Sequence, residues 1–231
     1  MNADAGQMQA VQGFSASFAR LRVRVAGRLR LGPYHRSTRF GLRRDLEAPL
    51  NRPNAKIPIE VRPMAESDLE PLLSMNQSDQ GDRLEVARRR AFVARYPKGC
   101  FVAVDQRDGT PCYMQWLFGY ADNPLIRRMG GFPELHEHEA LLENAFTPAK
   151  YRGLGIMSAA MALIAERGEE LGADYVLTFV DQHNIASLKG CQRAGFFPHL
   201  LHNKVQIGFG ILARDSFEEL PGNDPRRTMT F

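Results

Sequence analysis

Hydrophobic residues along this chain recur with two different periods. Near the start, Met8, Val11, Phe14, Phe18, Leu21, Val25 and Leu29 return every three or four residues, which draws one apolar stripe along a helix. Gly32-Pro33 ends that segment. Residues 34–56 carry Pro49 and Pro53, show little periodicity, and read as an extended arm. Alternation by two begins at Ile57-Pro58-Ile59-Glu60-Val61-Arg62-Pro63, the first predicted strand. Ser67-Asp68 opens a helix towards Met75, and a second helix is predicted from Gly81 to Tyr96. In that second helix Leu84, Ala87, Arg88, Ala91, Phe92 and Arg95 share one direction in part.

Cys100–Val104 and Thr110–Phe118 form a strand pair turned by Asp108-Gly109. Residues 119–137 read as a long loop, broken by Asn123-Pro124, Gly130-Gly131 and Phe132-Pro133. Residues 138–147 are the next strand, followed by a glycine-punctuated turn and a helix from Ile156 towards Leu171. Then come a strand over Ala173–Val180 and a short helix opened by Asn184. From Phe197 to Ile211, the alternating Val205, Ile207 and Phe209 mark a closing hairpin. The polar end, with Pro221-Gly222-Asn223-Asp224-Pro225, reads as a loose tail. Three segments result: a basic extension at 1–56 (amphipathic helix plus extended arm), an α/β domain at 57–213 and a tail at 214–231.

A chain of 231 residues suffices for one substantial core, or one domain with an extension. No apolar run is long enough to cross a bilayer, and the N terminus lacks the apolar core and cleavage site of a secretory signal. Cys100, Cys112 and Cys191 are far apart, with neither a disulfide framework nor zinc spacing, which fits a reducing cytoplasm. The charge is uneven. Residues 1–56 hold ten Arg and one Lys against Asp4, Asp45 and Glu47, a balance of +8; the remaining 19 basic and 23 acidic residues give −4.

The basic balance therefore belongs to the extension. Residues 8–31 either dock their apolar stripe on the domain or lie on an anionic membrane surface or an acidic partner. An Arg-rich, acid-poor start also mimics an organellar presequence, with Asp4 against it. The arm has no aromatic interleaving beyond Tyr34 and Phe40, so no nucleic-acid partner is expected. The sequence leaves a homodimer open.

Candidate chemistry concentrates at the turn. Ala145-Phe146-Thr147 ends a strand, and Arg152-Gly153-Leu154-Gly155 leads into the helix at Ile156-Met157. The first amides of a helix have no intrahelical acceptor, and the helix dipole puts its positive end there. Gly153 and Gly155 carry no β-carbon, so a phosphate can come close to the backbone. Arg152 adds a fixed fork of donors.

Together with Asn184 and the Gly195-Phe196 pair eleven residues after it, this turn resembles the GCN5-related N-acetyltransferase (GNAT) superfamily. That family's cofactor loop is written Arg/Gln-x-x-Gly-x-Gly/Ala; here it reads Arg152-Gly153-Leu154-Gly155-Ile156-Met157. The resemblance is sharp over about 50 residues, Phe146 to Phe196, and loose over about 175, from Ile57 to the C terminus. It implies an α/β fold with a mixed, mostly antiparallel central sheet flanked by helices. It also implies acetyl-CoA, or another acyl-CoA, as cofactor. The backbone from Arg152 to Met157 would hold the diphosphate, and Ala145 and Phe146, with Thr147 after them, would pair with the pantetheine arm. Asn184, with Ser187 in the same turn, would contact the cofactor arm or cap the helix. Met157 departs from the family's Gly/Ala, so its side chain must point away from the diphosphate.

Acetyl transfer to an amine also needs a base and a fate for the thiolate. Glu139 and Glu143 alternate on one face of the predicted strand, and either can serve as base or lie on a solvated edge. Cys191 stands where many family members place a Tyr that protonates the departing sulfur. It substitutes for that Tyr, or another group or water serves, or it is a small buried residue. His136 and His138, among Glu134, Glu137 and Glu139, fit no standard metal spacing and read as a polar loop, so no metal is expected. The expected activity is acetyl transfer from acetyl-CoA to a primary amine of a small molecule or sugar, by direct attack in a ternary complex. Two alternatives remain: a degenerate acyl-CoA-binding regulatory module, and an acyltransferase taking longer chains from an acidic acyl carrier protein, which the basic arm would greet.

Overall fold

The structure is a computed structural model, and it describes residues 32–75, 80–209 and 211–231. The amphipathic helix expected over residues 8–31, and its membrane or acidic-partner contact, lie outside the described residues. Among the described residues no helix is long and apolar enough to cross a membrane.

Among the described residues eight strands form one mixed sheet: β1 Tyr34–Asp45, β2 Ile59–Pro63, β3 Cys100–Asp105, β4 Pro111–Phe118, β5 Glu139–Phe146, β6 Tyr175–Asp181, β7 Phe197–Ile207 and β8 Leu212–Glu219. Their order is β2-β3-β4-β5-β6-β1-β7-β8. β5 and β6 run parallel, and the other pairs whose register is defined are antiparallel. Among the described residues the α-helices are α1 Leu69–Ser74, α2 Gln80–Arg95, α3 Asn123–Met129, α4 Ile156–Glu166 and α5 Ile185–Arg193. The expected class, a mostly antiparallel α/β sheet flanked by helices, is the one observed.

β4 explains where the core sits. All eight of its residues are buried, because helices cover both faces of the sheet at its centre. Tyr113 and Leu117 belong to a cluster with Ile156, Ala160 and Ile164 of α4. Met114, Trp116 and Phe118 belong to the opposite cluster, with Leu72 of α1, Val86 of α2 and Ile126 of α3. The alternation of side chains along one strand thus feeds two cores. The alanines of α4, Ala159, Ala160, Ala162 and Ala165, are all buried and let the helix lie close on the sheet.

Several boundaries differ from expectation. The arm at 34–56 is not outside the domain: β1 pairs with β6 from Arg39↔Asp181 to Asp45↔Tyr175. Arginines hide its alternation, since Arg44 is buried beside Phe40 and Leu42 and donates to the Ala162 carbonyl (2.8 Å) and to Glu166 (3.0 Å). The tail at 214–231 is not loose. β8 runs on to Glu219, Leu220 is buried, and Phe231 meets Phe40 with ring centres 5.5 Å apart. The 119–137 loop contains α3, which Pro124 opens and Gly130 (φ +69°) closes. The helix after the glycine turn stops at Glu166, with a 3-10 turn at Glu169–Leu171 beyond it. In α2, Ala87, Arg88, Ala91 and Arg95 are exposed, whereas Val86 is buried and Phe92 packs on Trp116 with ring centres 4.8 Å apart, so the inward face matches the one the apolar spacing suggested only in part. Arg89, which the spacing did not single out, is largely buried on this helix.

Two compact units divide the chain by contacts. One is Arg39–His202 with Phe217–Phe231, and it contains the glycine turn between β5 and α4 and the helices beside it. The other joins the stretch ending at Thr38 to Asn203–Ser216; within it Gly208 N donates to Pro33 O (2.8 Å) and Thr38 Oγ1 to Asn203 Oδ1 (2.8 Å).

Candidate active site

The turn between β5 and α4 is built on two left-handed glycines, Gly153 (φ +78°) and Gly155 (φ +75°). A β-carbon on Gly153 would meet nothing within 4 Å, so this position faces open space. One on Gly155 would come within 3.2 Å of the Asn54 carbonyl oxygen. Lys56 N donates to Leu154 O (2.8 Å), which pins the turn to the segment before β2. Gly155 caps α4 with no side-chain acceptor, so the first amides of the helix stay available to a ligand. Arg152 is exposed at this rim and donates from Nε to the Thr147 carbonyl (3.1 Å).

Upstream of the turn the sheet opens. β5 and β6 pair from Glu139↔Tyr175 to Leu142↔Thr178 and no further. On the other side, the β4–β5 register shifts between Met114↔Phe146 and Trp116↔Glu143. The extra residue sits where Asn144 takes a left-handed conformation (φ +61°), the geometry of a bulge. Two strands that part leave unpaired backbone groups and a wedge between them. A cleft of about 850 Å³ runs from Arg152 and Gly153 along Ala145 and Phe146 to Met157, Asn184 and Gly190. A further cavity of about 200 Å³ shares Ala145, Met157, Asn184 and Ser187 with it and reaches Glu143 and Cys191.

The structure therefore brings together most of the residues singled out from the sequence. Ala145, Phe146, Thr147, Arg152, Gly153, Gly155, Ile156, Met157, Asn184 and Ser187 line the cleft. Leu154 does not; it is part-buried against the core. Met157 lies against Gly190 of α5, where a β-carbon would come within 3.2 Å of its sulfur and terminal carbon. Its side chain is thus spent between the helices, and its amide stays on the turn. Asn184 caps α5, its Oδ1 accepting from Ser187 N (3.1 Å).

The two candidate glutamates part company. Glu143 lines the inner cavity, whereas Glu139 lines neither cavity and accepts from His136 N (2.9 Å) at the start of β5. Strand alternation put them on one face, but only Glu143 lies beyond the point where β5 leaves β6. His138 Nδ1 faces Asp174 (3.5 Å) on the exposed surface, and among the described residues no three His, Cys, Asp or Glu side chains gather as for a metal.

Burial governs the charges here. It pushes the Glu143 carboxyl up, although Arg39, the Asn144 amide and Arg89 oppose it. It pushes the Cys191 thiol up to about 12, with the nearby Glu143 carboxylate adding to the rise. Cys191 is 1% exposed and is therefore a neutral thiol at physiological pH, not a thiolate. The Tyr113 phenol is also pushed up by burial, and Cys191 is close enough to contribute.

Sequence reasoning missed two participants. Arg89 of α2 lines both cavities, and its Nη1 donates to the Asn144 carbonyl (2.9 Å). Gln115 is buried in β4, lines the inner cavity, and accepts from the Tyr113 hydroxyl (2.7 Å). The signal for Gln115 was present: it is the one amide side chain within the apolar run Pro111–Phe118. Nothing local marks Arg89 among the other arginines of its helix.

A family model, the acetyltransferase (GNAT) domain, matches residues 59–197. No curated protein matches. Among solved structures, an acetyltransferase of the GNAT family from Colwellia psychrerythraea is similar at 13% identity, with 81% of this chain and 57% of that chain covered and a TM-score of 0.48. A GCN5-related N-acetyltransferase from Sphaerobacter thermophilus is similar at 15% identity, with 91% and 59% covered and a TM-score of 0.46. The chain thus spans less than two thirds of the length of either protein.

Proposed function

We propose that this chain, which belongs to the acetyltransferase (GNAT) family, transfers an acetyl group from acetyl-CoA to a primary amine of a small molecule or sugar by direct attack. The observation that carries this reading is the continuous path from the uncapped start of α4, through the wedge between β5 and β6, to Glu143. A diphosphate fits the amides that follow Gly153, because Gly153 presents open space and no side chain competes for them. The unpaired backbone of Ala145 and Phe146 suits an arm that carries its own amides. When bound, acetyl-CoA supplies the activated acyl carbon and the thiolate leaving group.

The chain's own groups divide the remaining work. Glu143, with its carboxyl raised by burial, accepts the proton that the amine must lose. Arg89 and Gln115 fix the shape of the wall beside it. The amine nitrogen bonds to the acyl carbon, the carbon–sulfur bond breaks, and the sulfur leaves with its electron pair. The Cys191 thiol is protonated and can donate a hydrogen bond towards that sulfur. It does not act as a nucleophile, so no acyl-enzyme on cysteine is required. Phe132, from the segment before β5, packs edge-on against Phe179 of the inner cavity (5.5 Å), so acceptor choice is assigned to that segment.

Thiol release measured over a panel of primary amines tests the reading, with mass analysis of the acyl donor consumed. The expected result is acetyl-CoA-dependent acetylation of at least one amine. CoA binding without turnover on any amine would favour the regulatory module, and consumption of acyl carrier protein with acetyl-CoA ignored would favour the carrier-dependent reading.

A further inference from the structure

Ten large apolar side chains are exposed among the described residues, and five of them gather at one place. Ile207 ends β7, Leu212 opens β8, Phe209 and Ile211 lie in the turn between them, and Tyr34 starts β1 beside it. The turn is closed by Ile211 N, which donates to Gly208 O (3.2 Å). Gly208 N donates to Pro33 O (2.8 Å), which sets Tyr34 next to the turn. Ile211 and Leu212 are 70% and 67% exposed, and every residue of β8 is exposed. Apolar side chains exposed singly are ordinary on a protein surface, whereas several on one hairpin tip mark a contact with another apolar medium.

Charge identifies that medium. Residues 1–38 and 203–216, which lead into and build the tip, hold seven Arg and one Lys against Asp4 and Asp215, a balance of +6. The chain carries +4 in all, so its other residues hold −2. Arg36 of β1 and Arg214 of β8 are exposed, and Asp215, the one carboxylate in 203–216, already has Lys204 at 3.9 Å. An apolar tip backed by cations complements a surface that is anionic outside and apolar within, which is an anionic lipid bilayer. A second copy of this chain would set +6 against +6. A protein groove covers a stripe on one side. Here Ile207 and Leu212 flank the turn while Phe209 and Ile211 lie within it, and a bilayer closes around such a tip.

We propose that the β7–β8 hairpin tip docks this chain on an anionic membrane surface, with Ile207, Phe209, Ile211 and Leu212 entering the lipid interface and Arg36 and Arg214 meeting lipid phosphates. Lipid binding is independent of acetyl transfer, and either holds without the other.

The test is sedimentation of the full chain with vesicles of equimolar phosphatidylglycerol and phosphatidylcholine, against vesicles of phosphatidylcholine alone. The chain should bind the anionic vesicles, bind the neutral ones more weakly, and be released as salt screens the cations. Ile211→Ser together with Leu212→Ser should weaken binding by about 100-fold, roughly tenfold for each apolar side chain withdrawn from the interface. Both positions are exposed, so the unfolding midpoint of this variant without lipid should match wild type. Leu212→Trp gives a second reading: Trp116, the chain's one tryptophan, is fully buried, so a blue shift on adding anionic vesicles reports the tip. The proposal is overturned if anionic and neutral vesicles are bound alike or not at all, or if the serine pair binds as wild type does. It is equally overturned if the serine pair lowers the unfolding midpoint, the result expected when the chain's own residues 8–31 cover the tip. Self-association in solution that the serine pair abolishes would assign the tip to a second copy and overturn it too.

Discussion

The Arg89 guanidinium of α2 donates to the carbonyl oxygen of Asn144, 2.9 Å away, at the one residue of β5 that adopts a left-handed conformation. Its Nε and Nη2 both donate to Glu85 (3.0 and 2.6 Å), so the fork is held from behind. An otherwise unpaired carbonyl is thereby satisfied at the bulge in the β4–β5 register, just past the point where β5 has left β6. The opening of the cleft depends on this link between a helix and a bulge.

Arg89→Met removes the link while keeping much of the side-chain volume. CoA affinity should fall by about tenfold, the worth of one charge-assisted hydrogen bond, and turnover should fall with it. Arg89→Lys should not rescue, because one ammonium cannot serve Glu85 and Asn144 with the same fork. Calorimetric titration with CoA decides the point; wild-type affinity in Arg89→Met would remove Arg89 from the account.

The two glycines of the turn should respond unequally. Any side chain at φ near +75° costs about 1–2 kcal/mol. Gly153→Ala should show only that cost, since its β-carbon meets nothing. Gly155→Ala adds a contact 3.2 Å from the Asn54 carbonyl and should be the more destabilised in urea, with the greater loss of CoA binding. Equal effects would mean that the segment before β2 yields freely.

Glu143→Gln should lower kcat by about 100-fold, the usual scale for a lost general base, with CoA affinity little changed. Burial raises the wild-type carboxyl, so the acid limb of the pH–rate profile should lie above the ordinary carboxylate range of about 4. The stability sign is the reverse of a salt-bridged carboxylate. A folded-state pKa above the unfolded value gives stability at low pH that is lost as pH rises through the folded pKa. Glu143→Gln, which mimics the protonated form, should therefore unfold at a higher temperature than wild type at pH 7. A lower midpoint, or an unchanged acid limb, would contradict this role.

Cys191 should behave as a buried neutral thiol. Iodoacetamide at pH 8 should leave it unmodified in the folded chain, because its pKa is pushed to about 12 and the side chain is 1% exposed. Cys191→Ala should retain turnover within about tenfold, the loss of one weak donor. Mass analysis under turnover should show no acyl group on the chain. A labelled Cys191 or an acylated chain would replace direct attack by a two-step route.

Much of the fold could be read from period-two runs, and the loop chemistry from two glycines and an arginine at fixed spacing. What escaped the reading had specific causes. β1 escaped because its inward face mixes Phe40 and Leu42 with Arg44, a charge paired to Glu166 across 122 residues of sequence. Glu139 and Glu143 were equivalent by alternation, and only the end of the β5–β6 pairing at Leu142↔Thr178 distinguishes them. Arg89 could not be found, since its role is defined by Asn144, 55 residues away. Local pattern encodes elements and caps, and partners distant in sequence are settled by topology.

The central claim is that the diphosphate of an acyl-CoA sits on the amides after Gly153 and that its arm follows the open edge of β5. A crystal structure of the chain with CoA tests this most directly. Diphosphate oxygens within hydrogen-bonding distance of the Gly153–Met157 amides, with the arm beside Ala145 and the sulfur near Glu143, are the predicted result. CoA bound elsewhere, or β5 and β6 closed together with the ligand outside, would contradict it.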